Sequence, residues 1–196
     1  MPPLSTGRYY DGATMTALAG PFLIVCTILG LGGVAKLVAP LPARQALRAL
    51  GIPAPIAAVR LLGLSEVALA CAAFFSGGPI LPMVVGMAYS AFAAFVVLML
   101  RRDAETSCGC FGSAATPPSW LHVVVNLASA GVAFGAIGID SLATIVGDQP
   151  AAGVPLLCLV AVGSYGLYLL LTALPVLFAP PVERVREFSV SRGAPS

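Results

Sequence analysis

The run IAAVRLLGLSEVALACAAFF, Ile56–Phe75, decides the class of fold. Its length matches a helix crossing a bilayer, because about 20 residues rising 1.5 Å each cover the roughly 30 Å of hydrocarbon. Lipid offers the backbone no hydrogen-bond partner, so such a run must satisfy its own amides as a helix, and it lacks the alternation of a barrel strand. Glu66 lies about eleven residues into the run, near mid-depth. A carboxylate there is costly unless it faces the interior of a bundle, where it is either protonated or paired.

Four more apolar stretches are long enough to span: Met15–Val38, Ile80–Leu100, Trp120–Ile139 and Val154–Phe178. The first is longer than a signal-peptide core and follows fourteen mostly polar residues, so it is expected to remain as a span. The bulk numbers agree, with 59% hydrophobic and 9% charged residues and a mean hydropathy of +0.98, far from soluble domains. The expectation is an all-α, polytopic membrane bundle of five transmembrane helices, forming a single domain over residues 1–179 with an exposed tail at 180–196. A net charge of +2, with no basic run interleaved with aromatics, excludes nucleic acid as a partner and leaves membrane lipid.

After the first span, PLPARQALRALGIPAP (Pro40–Pro55) sets Arg44 and Arg48 four apart, with Leu47 and Leu50 available to an apolar face. That pattern predicts a short helix in the headgroup region. The connector Ser76–Pro79 is a tight turn that makes the second and third spans antiparallel neighbours. Gly30–Gly33 (GLGG) and the pair Gly131 and Gly135 mark places where helix backbones are expected to approach closely.

Five spans place nine of the ten lysines and arginines at one end of the bundle and Arg8 alone at the other. By the positive-inside rule the N-terminus is outside and the connector 101–119 lies at the cytoplasmic face of the inner membrane. Lys36 and Arg60 sit just inside the apolar limits and are expected to snorkel to that face.

The connector contains ETSCGCFGSAATPPSW, Glu105–Trp120, with Cys108 and Cys110 separated by one glycine. A disulfide between residues two apart closes a small ring, and glycine best tolerates the bend it requires. Strain raises the reduction potential, which suits the pair to passing electrons rather than holding a fold. Thiolates are favoured by positive charge or a helix N-terminus. Arg101 and Arg102 precede the pair, while Thr116, as a cap, and Pro117 or Pro118 announce a helix with His122 about one turn inside it. Cys108, Cys110 and His122 make three soft ligands, one short of a structural zinc site, so no metal is expected. The plainer alternative is that both cysteines stay reduced and line a turn. Cys26, Cys71 and Cys158 stand singly in apolar runs and read as small packing residues.

Asn126 follows His122 by four residues, so the two share a helix face and form a polar track toward mid-bundle, where Glu66 could meet them. With Arg60 and Lys36, Glu66 and Asn126 are the candidate polar residues of the bundle interior. An equally open reading makes Glu66 and Asn126 interhelical hydrogen-bond glue.

The order GGVAKL late in the first span, RLLGLSE in the second, then CGCFG followed by a tryptophan and an asparagine on the next helix, resembles the methylamine-utilisation protein MauE family of DoxX-like membrane proteins. The resemblance runs from about Thr16 to Asn126 and plausibly through the fifth span, with Val125 where it leads one to expect an arginine. It implies a membrane thiol-redox factor that helps mature the disulfide-rich small subunit of methylamine dehydrogenase beside a thioredoxin-like or other dithiol partner. That substrate lies outside the membrane, so either electrons cross from a cytoplasmic dithiol or the topology is inverted. In the first case Cys71 and Cys158, toward the outer face, are candidates for a second couple. A membrane thiol-disulfide oxidoreductase in which Cys108 and Cys110 exchange, His122 assists proton movement, and a quinone serves as electron partner is the leading reading. A non-enzymatic scaffold subunit and a small transporter are the alternatives.

Overall fold

The computed structural model describes residues 12–76, 78–102, 118–138 and 150–177. Among them all regular structure is helical: α1 (Gly12–Val38), α2 (Pro40–Ala49), α3 (Ile56–Phe75), α4 (Ile80–Arg101), α5 (Trp120–Gly135) and α6 (Pro150–Leu177). Cys108 and Cys110, Thr116 and Pro117, and the tail 180–196 lie outside the described residues.

Four helices, α1, α3, α4 and α6, are long and apolar enough to cross a membrane. The fifth expected span does not reach that length. α5 has 16 residues, about 24 Å at 1.5 Å per residue. It still returns the chain along the bundle, because His122 near its start shares a cavity with Lys36 of α1 and Gly135 at its end packs on Leu18 near the start of α1. α6 then runs parallel to α1: Gly20 meets Leu156 and Leu159, Gly163 meets Ile24, and Leu171 reaches the cavity beside Lys36.

The tightest pairs are α1 with α3 and α4 with α5. Consecutive α3 and α4, joined by the short turn, touch far less, so proximity in sequence does not set the main packing. In lipid the hydrophobic effect does not drive helices together, and close van der Waals contact between small residues does. Gly33 and Gly63 supply it. A Cβ on either would lie 2.6 Å from the other's carbonyl oxygen, and Gly30 leaves Ala70 at 3.3 Å from such an atom. On the other pair, Gly86 accommodates the Phe134 ring, whose carbons would stand 2.7–2.8 Å from a Cβ. Of the second expected glycine pair, Gly135 touches Leu18, while Gly131 faces open space and brokers no helix contact. The core between these pairs is built from Ala19, Phe22, Cys26, Leu29, Val85, Tyr89, Ala130 and Ala133, with the Tyr89 hydroxyl donating to the Val25 carbonyl at 2.7 Å.

α2 forms where its arginine spacing predicts it, and it is docked onto the bundle's end. Ala46 and Leu50 pack on Met99 with Phe95 beside them. Arg44 Nε donates to the Ala54 carbonyl at 3.2 Å, and Arg102 Nη1 to the Leu50 carbonyl at 2.7 Å. Its two arginines thus differ: Arg44 ties the α2–α3 connection, whereas Arg48 is exposed.

The glycine contact makes a sharp prediction. Gly33→Ala puts a methyl against backbone that cannot yield, and overpacking of this kind costs about 1–3 kcal/mol. Gly131→Ala, in open space, should change stability by less than about 0.5 kcal/mol. Unfolding of the two variants in mild detergent by a denaturing detergent should separate them by that margin.

Candidate functional site

Helical Cα–Cβ bonds lean toward the helix N-terminus. Lys36 occupies the last turn of α1, so its side chain sets out toward the middle of the bundle. Arg60, one turn into α3, sets out toward the membrane face. The outcomes differ accordingly. Arg60 is exposed, which fits snorkelling and removes it from the bundle interior. Lys36 is only 8% exposed, contrary to the expectation that it would snorkel. Its Nζ lies 2.8 Å from Glu66 Oε2, donates to the Gly32 carbonyl at 3.3 Å, and stands 5.5 Å from the centre of the Phe92 ring. The Gly33–Gly63 contact makes this reach possible, because it brings α1 and α3 together one turn from both ionised residues.

Burying two opposite charges is tolerable only with good geometry and extra hydrogen bonds. Oε2 of Glu66 and the ammonium have both. Oε1 of Glu66 does not, since it is buried without a partner.

On the opposite wall, α5 begins after Ser119, an extended residue at the N-cap position whose hydroxyl makes no cap hydrogen bond. It is 2.8 Å from His122 Nδ1 instead. His122 is 1% exposed and its Nε2 has no partner. One turn on, Asn126 Nδ2 donates to the His122 carbonyl at 2.7 Å. Spacing of three and four then brings Ser129 onto the same face, a signal the sequence carried and the polar track omitted.

Lys36, Glu66, Tyr89, His122, Asn126 and Ser129 line one cavity of about 250 Å³, whose remaining walls are largely apolar. Glu66, His122 and Asn126 thus border the same space, with the Glu66 carboxylate bonded to Lys36. Ala43 and Leu47 of α2 contribute to its wall, so the interfacial helix closes the end nearest the headgroups. Phe92 and Phe95 of α4 add an aromatic wall that no sequence pattern singled out. Val125, where the family resemblance would place an arginine, also lines it; the cation of the site is supplied by α1.

The single cysteines fall into two groups. Cys26 is fully buried in the core. Cys71 and Cys158 are exposed, and all three are free.

Breaking the buried pair from one side should be worse than removing it. Lys36→Met strands a carboxylate and should cost about 3–5 kcal/mol, whereas Lys36→Met with Glu66→Leu should recover most of that loss. A double-mutant cycle on detergent unfolding measures the difference.

The methylamine utilisation protein MauE family matches this chain over residues 14–139. No curated protein and no solved structure matches it. The matched segment begins inside α1, takes in α2 to α5 with the Cys-Gly-Cys connector, and covers most of the chain; its described residues form a multi-pass helical membrane bundle. The chain belongs to the methylamine utilisation protein MauE family.

Proposed function

We propose that this MauE-family protein is a membrane thiol-disulfide redox protein in which Cys108 and Cys110 are the exchanging pair and His122 manages protons beside them. The observation that carries the reading is the His122 side chain. It stands twelve residues after Cys110, is buried in the bundle, and keeps one ring nitrogen without a partner among the described residues while the other is held by Ser119. Burial of an imidazole with a vacant nitrogen is hard to account for by packing alone, since a buried polar atom without a partner costs about 1–3 kcal/mol. A proton acceptor that follows closely in sequence on a dithiol, which releases protons on oxidation, gives that cost a purpose.

Thiol exchange proceeds by attack of a thiolate on a disulfide sulfur through a mixed disulfide. A dithiol partner, thioredoxin-like in the family resemblance, would dock at the connector 101–119 and trade its electron pair with Cys108–Cys110. The pair would then be oxidised as the partner is reduced, or the reverse. The face is set by charge. With Lys36 turned inward, eight lysines and arginines still fall at the connector's end against Arg8 at the other, which favours a cytoplasmic connector. A transport role is less well supported, because the mid-depth carboxylate that would bind a cation is already held by Lys36 at 2.8 Å.

Alkylation of cells with a membrane-impermeant maleimide, before and after reduction, tests both parts. Cys108 and Cys110 should shift between oxidised and reduced forms together, and the Cys108→Ser, Cys110→Ser double variant should lose function in methylamine-dependent growth. His122→Phe should slow the change of redox state about tenfold or more, in line with loss of one general acid-base group. A pair that stays in one oxidation state, or a fully active double serine variant, refutes the proposal.

A further inference from the structure

We infer that the cavity between Lys36, Glu66 and His122 is a binding site for a lipid-soluble quinone, reached sideways from the hydrocarbon between α3 and α4. Four observations converge on it. Two buried polar atoms on different helices, Glu66 Oε1 and His122 Nε2, lack partners, and both residues line this space. The volume of about 250 Å³ exceeds the roughly 150 Å³ apolar cavity known to take up benzene, so a substituted six-membered ring has room. Tyr89, Phe92 and Phe95 of α4 supply aromatic walls for such a ring. Finally, the lining includes two exposed residues, Leu62 of α3 and Ala91 of α4, on two helices that pack far less closely on each other than α1 on α3 or α4 on α5, despite their short connection. The cavity thus meets the outer surface of the bundle where that surface faces lipid.

The unpartnered atoms discriminate among lipid-phase ligands. Ionised Glu66 Oε1 only accepts hydrogen bonds, which disfavours a fatty acid carboxylate at the same place. A sterol offers one hydroxyl, enough for one of the two atoms. His122 Nδ1 faces a serine hydroxyl, which donates or accepts, so Nε2 can carry a proton or present a lone pair. A quinone carbonyl accepts from a His122 Nε2–H, and the quinol, with two hydroxyls, can donate to Glu66 Oε1 as well as to Nε2, so the reduced form satisfies both atoms. Lys36 adds a fixed positive charge near an oxygen that gains electron density on reduction.

The ligand's place in the bundle is independent of the redox reading above, while its role as electron acceptor rests on that reading. The step balances without a further reagent. The Cys108 and Cys110 thiols lose their two S–H bonds and form one S–S bond; the two electrons and two protons pass to the quinone, whose carbonyl oxygens become the hydroxyls of the quinol.

The test uses the full-length protein in lipid nanodiscs and decylubiquinone as the probe, with binding read by titration calorimetry and decylubiquinol by its absorbance change. Wild type should bind saturably. Ala91→Trp, an exposed position whose bulk fills the opening without disturbing the core, should weaken binding at least tenfold, as should His122→Gln. The Cys108→Ser, Cys110→Ser variant should bind like wild type and form no decylubiquinol. Absence of saturable binding, or Ala91→Trp binding like wild type, overturns the site. Binding that depends on Ala91, with no decylubiquinol formed by the reduced wild type, supports the site and refutes the thiol-to-quinone step.

Discussion

A lysine and a glutamate held 2.8 Å apart inside hydrocarbon constrain every other feature of this bundle. Neither charge is tolerable there alone, so α1 and α3 must stay in the register that joins them. That register needs a separation only glycine allows, and Gly33 and Gly63 sit against one another's backbone at the level of the pair. The ring of Phe92 from α4 then covers the ammonium, tying the α1–α3 pair to the α4–α5 pair across the centre. Polar groups held in this way leave space that apolar side chains would have filled, and the cavity occupies it.

α5 plays the complementary part: this helix of 16 residues carries His122 in its first turn, and that side chain is buried while Trp120 beside it is exposed. Ser119 shows the consequence. A serine at an N-cap ordinarily bonds the backbone of the first turn, yet here its hydroxyl serves the histidine. The start of α5 is therefore organised around the ring of His122. The connector that carries Cys108 and Cys110 leads directly into this turn.

Much of the architecture was legible in the order of residues, for reasons that can be traced. Apolar run length gives the long helices because bilayer thickness is fixed, and Arg44 with Arg48 gives α2 because their spacing selects one helix face. The i, i+4 relation of His122 and Asn126 is a property of any helix, so their shared face needed no tertiary knowledge. Glu66 announced that it needed a partner without naming it. The partner was missed because depth was judged from position alone: Lys36 counted as a residue near the surface, although helix geometry aims a C-terminal side chain inward. The length of the expected span Trp120–Ile139 was overestimated, because hydropathy continued past Gly135 and the helix did not. Contacts such as Tyr89 with Val25, or Phe92 over Lys36, depend on how non-consecutive helices meet, and no local pattern encodes that.

On the proposed redox reading, the arrangement gives a reason for one cavity to hold both a fixed ion pair and an imidazole. Oxidising a dithiol releases two electrons with two protons, and in a low-dielectric interior a separated charge is far more expensive than in water. An acceptor that gains electrons without protons would leave net negative charge in the bundle. Lys36 can offset such charge for a moment but cannot remove it, being already paired with Glu66. His122 can relay a proton because its two nitrogens face different environments, one a hydroxyl and the other the cavity. On that reading the work would be divided between the ion pair, which would fix the electrostatic potential of the site, and the imidazole, which would let protons follow electrons so that no net charge is left in the lipid.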